Sequence, residues 1–190
     1  MKKILVIALV TIFSVGCNDK TASTASAASD STNTASTNAT EENLDYPYQL
    51  DHPYADWQPG DKRHALAVMQ SLKAYETGDI NTCVAGFGDS VRLLFDGYRG
   101  NFSKDSLKKM FTESRDRLSA LKIMMSDWES VISKDKKQEY VTMWYKQIET
   151  DKKGKTDSLS IVDDAKIVNG KIVELDQKIQ HFPPPMANKK

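Results

Sequence analysis

Two side chains in this 190-residue chain have the type and setting for acid–base chemistry. Asp163 shares alternate positions with Leu159, Ile161, Ala165 and Ile167, while Ser158, Ser160, Asp164 and Lys166 fill the positions between. That alternation describes a strand with one apolar face. A carboxylate on such a face loses solvation and holds its proton more tightly, which makes it a candidate proton donor or ligand-facing acceptor. The same placement suits a structural carboxylate that meets a cap or strap donor, and both readings stay open. His181 is the other candidate, by type, because imidazole titrates near neutrality. It has no paired carboxylate in sequence and precedes Phe182 and three prolines, which equally describes a rim residue. His52 and His64 lack ligand spacing, and no HExxH, CxxC, GxSxG or phosphate-binding glycine loop occurs, so neither a metal nor a cofactor is expected.

The elements that must position these groups fall in two blocks. Asp61 can cap a helix carrying Ala65, Val68, Met69, Leu72 and Tyr75 at three- and four-residue spacing, with Gly78 as its stop. Asp79 opens a shorter helix striped by Ile80, Cys83, Val84 and Phe87, which Gly86 and Gly88 weaken. A strand is expected over 91–98, and Ser103 caps a third helix with Leu107, Met110, Phe111 and Leu118 on one side. From there the period changes to two, giving strands over 121–132, 138–150, 157–168 and 171–182. Asn169-Gly170 between the last two is a type I′ hairpin signal, since both residues accept positive φ. Helices first and a strand meander afterwards predict an α+β domain.

That hairpin carries a conflict. A regular two-residue loop pairs Ile167 with Ile172 and sets Asp176 opposite Asp163, two acids face to face. A bulge just after Ile172 turns Val173, Leu175, Gln177, Ile179 and His181 inward instead, so a bulge is expected and Gln177 joins the concave side. Tyr140 and Trp144 share one strand face, with Met143 and Tyr145 on the other. Both faces are thus rich in rings, either as ordinary core or because the second face meets the strap or another subunit. The strap, 44–60, alternates rings with prolines in Tyr46-Pro47-Tyr48, His52-Pro53-Tyr54 and Trp57-Gln58-Pro59, and it should be extended. The lysine-rich runs at 135–137 and 152–155 read as solvated hairpin tips.

The N-terminus speaks of address. Lys2 and Lys3 precede a mainly apolar run over 4–15, the length of a secretory signal and too short to span a bilayer. It ends in Ser14-Val15-Gly16-Cys17, which resembles a bacterial lipobox. That resemblance implies a lipoprotein signal peptide at 1–16, lipidation of Cys17 and a membrane-anchored protein on the periplasmic or extracellular side of a bacterial cell envelope. Residues 21–40 are Thr, Ala, Ser or Asn at all positions but Asp30, so 17–43 reads as a flexible tether. Cys83 is then a lone cysteine with no basic cluster to activate it, and it is expected to be buried. The whole chain has 26 basic and 26 acidic residues, and from residue 44 onward 23 and 22, a balance that excludes a nucleic-acid surface.

The order of Tyr75-Glu76-Thr77-Gly78-Asp79-Ile80, Phe87-Gly88-Asp89-Ser90-Val91 and Asn169-Gly170-Lys171-Ile172-Val173 resembles the nuclear transport factor 2-like superfamily, including SnoaL-like proteins. The resemblance covers about residues 61–182 and sets the domain at 61–183, with a tail at 184–190. It implies a cone-shaped, strongly bent antiparallel sheet wrapped on N-terminal helices, of cystatin-like type, with a pocket at its mouth and a homodimer through the outer sheet face. Ketosteroid isomerases of that superfamily use an Asp base, a helix Tyr and a protonated Asp. Here the base position falls near Leu94 and the Tyr position near Ser71, and only Asp163 matches. The expectation is therefore a small-molecule binding or accessory module with an apolar pocket lined by Ser71, Tyr75, Leu94, Phe111, Trp128, Trp144, Asp163 and Gln177. The alternatives are a lyase, isomerase or hydratase acting on a small apolar carbonyl compound through Asp163 and His181, and an interaction module with a filled cone.

Overall fold

A computed structural model describes residues 56–182 together with Asp45, Pro47 and Tyr48. The expected signal peptide, Cys17, the tether, most of the strap and the tail lie outside the described residues. The chain divides into two units, Met1–Pro47 and Tyr48–Lys190, and the helices and strands described below belong to the second.

Helix α1 (Lys62–Thr77) starts where Asp61 accepts the Arg63 backbone N–H at 2.8 Å, and stops where Gly78 turns left-handed at φ 87°. Ala65, Val68, Ser71 and Ala74 are its buried stripe. Helix α2 (Ile80–Ala85) is capped by Asp79, whose carboxylate accepts the Thr82 N–H. It is one residue pair shorter than its apolar stripe suggests. Gly86 passes so close to α1 that a Cβ there would lie 3.1 Å from the Ser71 Cβ, and Phe87 begins strand β2 (Phe87–Phe95) instead of ending the helix.

The expected single strand over 91–98 is in fact a hairpin. Asp96-Gly97 turns the chain, with Gly97 at φ 89°, into β3 (Tyr98–Ser103). An Asp-Gly pair between apolar runs is the same hairpin signal as Asn169-Gly170. Ser103 caps α3 (Lys104–Asp116), and Leu118 belongs to the following strand rather than to the helix. Strands β4 (Leu118–Ile132), β5 (Glu139–Asp151), β6 (Thr156–Val168) and β7 (Lys171–His181) follow as a meander. Asn169 and Gly170 take φ of 50° and 71°, as a type I′ turn requires. The strap's end is β1 (Gln58–Pro59), paired to the edge of β4. A proline fits an edge strand, where its missing N–H is not needed by a second neighbour. Gly60 then runs against β4 so closely that a Cβ would stand 2.5 Å from the Ser130 Oγ.

The sheet order is β1-β4-β5-β6-β7-β2-β3. Every pair is antiparallel except β2 with β7, so the sheet is mixed. The β6–β7 ladder pairs Ile167 with Ile172 and Lys166 with Glu174, leaving Val173 as the extra residue of a bulge at the expected place. The bulge sets Gln177 rather than Asp176 opposite Asp163, and the two acids that do face each other, Asp164 and Asp176, share the Lys178 ammonium at 3.1 Å each on the outer face. The core lies between the helices and the inner sheet face, where Leu93, Leu107, Met143 and Ile161 are almost wholly buried.

Candidate functional site

The inner face and the helices leave between them a cavity of about 360 Å³. A filled cone is thereby contradicted, because this volume falls in the range of small-molecule sites. Ser71 from α1 and Cys83 from α2 line it, with the Ser71 hydroxyl donating to the Cys83 carbonyl at 2.7 Å. Cys83 is buried as expected, and burial pushes its thiol up to about 11, which leaves it un-ionised at neutral pH. Tyr75, Phe87 and Phe111 form an edge-to-face chain on another wall, with centroids 5.6 and 5.7 Å apart. The Tyr75 hydroxyl donates to the Ser114 Oγ at 3.1 Å.

The sheet supplies the wall with chemistry. Met143, Asp163 and Gln177 stand in line across β5, β6 and β7, and Tyr145 lies two residues beyond Met143 on the same face. The Tyr145 hydroxyl donates to one Asp163 oxygen at 2.7 Å, and the Gln177 amide donates to the other at 3.0 Å. Asp163 is 3% exposed. Burial pushes its carboxyl up to about 6, against the opposing pull of the two donors. Burial, reinforced by the Asp163 charge, also drives the Tyr145 phenol well above its ordinary value. The result is a carboxyl that titrates near neutrality, held in place from both sides, with lone pairs left for a donor in the cavity. Toward the mouth stand Asp96, Arg117 and Glu149, the last accepting from the Gln147 amide at 2.6 Å.

Ser71, Tyr75, Phe111, Asp163 and Gln177 thus come together on one cavity. Leu94, Trp128 and Trp144 do not line it. Leu94 alternates with the buried Leu93 and faces the opposite side of β2, Trp128 packs half-buried against the core, and Trp144 pairs with Val162 on the outer face. The place given to Trp144 is taken by Tyr145, its strand neighbour. His181 also lies elsewhere. By parity it follows Ile179 inward, but β7 there has passed the cavity, and its side chain is 68% exposed with Asp157 at 3.7 Å. Asp163 and His181 therefore do not form an acid–base pair. Tyr145 was legible in principle, since pairing Met143 with Asp163 across the β5–β6 hairpin puts it on Asp163's face.

Among the described residues no group of three or more His, Cys, Asp or Glu is placed to hold a metal, and no helix is long and apolar enough to cross a membrane.

No protein-family model matches the chain, and no curated protein matches it. Solved structures do. An LEH-like epoxide hydrolase from M. tuberculosis superposes with a TM-score of 0.53 at 13% identity, over 64% of this chain and 86% of that one. TerC, co-crystallised with polyporic acid, matches at 0.50 and 15% over 62% and 91%. A nuclear transport factor 2-like protein of unknown function from Exiguobacterium sp. 255-15 matches at 0.50 and 15% over 60% and 98%. At such identities the likeness is one of fold, and the described part of this chain has the α+β fold of the nuclear transport factor 2-like proteins.

Proposed function

We propose that this domain is a small-molecule binding module held at a bacterial cell envelope by lipid on Cys17. Its ligand has a mainly apolar body and a hydrogen-bond donor that meets Asp163. The observation that carries this reading is the cavity itself: about 360 Å³, walled largely by Val68, Leu72, Phe87, Phe111 and Met143, with one buried carboxylate already oriented by Tyr145 and Gln177. The TerC structure, co-crystallised with polyporic acid, supports a ligand role for a cavity in this fold. With His181 outside, binding accounts for the arrangement better than acid–base catalysis by that pair.

The uptake test uses N-phenyl-1-naphthylamine, an uncharged apolar probe that brightens on leaving water. Saturable uptake at one site per chain supports the cavity reading, and absence of uptake contradicts it. For the anchor, Cys17→Ser releases the protein from membranes, whereas continued membrane association contradicts lipidation. We further propose a homodimer through the outer face of β4–β6, where Met124 is 48% exposed beside the half-buried Trp144. Native mass spectrometry reads subunit number directly.

A further inference from the structure

Strands β2 and β7 run parallel until Leu94 meets Asp176 and then part. β2 turns back at Asp96-Gly97, while β7 continues to His181 beside β6. An open cleft of about 730 Å³ lies at this parting. Phe95, Asp96, Tyr98, Gln177 and Ile179 line both the cleft and the inner cavity, so one continuous wall leads from the apolar interior to the outer surface. Gln177 is the hinge of that wall, because its amide also holds Asp163.

The two ends of this path differ in chemistry. The interior offers aromatic and aliphatic side chains. The cleft offers Asp96, Arg99, Asp176 and Lys178. Lys178 is already engaged at 3.1 Å by both Asp164 and Asp176. Asp96 and Arg99, on either side of Gly97, have no ion-pair partner among the described residues. An exposed turn thus presents one free anion and one free cation beside the exit of an apolar cavity. A singly charged head group at this place is attracted by one of them and repelled by the other, whereas a head carrying both charges satisfies both.

We propose that the cleft is the head-group subsite of an elongated single-chain amphiphile, with its apolar chain in the inner cavity and a zwitterionic head between Asp96 and Arg99. This rests on the cavity reading given above and names the class of ligand for it. Tyr98, 39% exposed and in edge-to-face contact with Phe95 and Phe102, stands where chain and head would join.

The test keeps one tail and varies the head. Dodecylphosphocholine, laurate and dodecyltrimethylammonium below their micelle concentrations, and dodecanol below its solubility limit, displace N-phenyl-1-naphthylamine from the full-length protein. Dodecylphosphocholine is expected to displace best. Arg99→Gln weakens it about three- to fivefold, the range of an exposed ion pair, and moves preference toward dodecyltrimethylammonium. Asp96→Asn weakens it similarly and moves preference toward laurate, and Arg99→Gln, whose side chain does not line the inner cavity, leaves displacement by dodecanol unchanged. Probe uptake with all four heads equivalent, or with both variants unchanged, overturns the head-group subsite and leaves the cavity reading standing. No probe uptake at all overturns the cavity reading itself.

Discussion

Asp163 and Asp164 are neighbours on β6 and differ in nearly every physical respect. Asp163 points inward, is 3% exposed and meets only the neutral donors Tyr145 and Gln177. Asp164 points outward, accepts the Thr142 hydroxyl at 2.6 Å and pairs with the Lys178 ammonium. One step along a strand moves a carboxylate from an apolar cavity to a charged surface, because successive side chains leave opposite faces of the sheet. Burial without a cation disfavours the charged form, so the inner acid titrates at about 6. The inner face of these strands is built to keep a polar group available to a guest, and the outer face to satisfy its own charges.

The contrast is most sharply broken at Asp163. Its native carboxyl binds its proton more tightly than the unfolded value of 3.8, so the stabilising contribution is full below about pH 4 and is lost as pH rises through about 6. Over that interval Asp163→Asn gains about 3 kcal/mol relative to the parent, two pKa units at 1.36 kcal/mol each. Urea unfolding from pH 4 to 7 checks this, and parallel pH profiles for the two proteins contradict it. Tyr145→Phe comes next. At pH 7 it leaves the ionised carboxylate with one donor and costs about 1–3 kcal/mol, and at pH 4 it costs less, as denaturant midpoints at both pH values will show. Asp164→Ala is the smallest. Lys178 keeps Asp176 and the pair is largely solvated, so the loss stays below about 1 kcal/mol in the same measurement. If Asp164→Ala costs more than Tyr145→Phe, the assignment of inner and outer roles fails.

Much of this was legible in the sequence, and the physical reason is local. Asp61, Asp79 and Ser103 cap their helices with their own side chains, and Asn169-Gly170 sets a turn by its own φ values. The bulge at Val173 followed from refusing to oppose two acids across an apolar face. What was not legible depends on partners distant in the chain. The parallel pairing of β2 with β7 joins segments about eighty residues apart, and neither carries a signal of it. Trp144 is expected to line the cavity, whereas the β5 register gives that place to Tyr145. His181 had the right chemistry, but where a strand outruns its cavity is fixed by the elements that end beside it. The β3 hairpin was a different failure, since Asp96-Gly97 carried a turn signal in plain sight.

The central claim is that the inner face is the binding face, and one measurement compares it with the outer. N-phenyl-1-naphthylamine uptake is followed in the parent, in Leu72→Trp, which fills the cavity from α1, and in Trp144→Ala, which strips a ring from the opposite side of the sheet. The account predicts one saturable site in the parent, at least about tenfold weaker uptake in Leu72→Trp and unchanged uptake in Trp144→Ala. Uptake that survives Leu72→Trp and is lost with Trp144→Ala would contradict it.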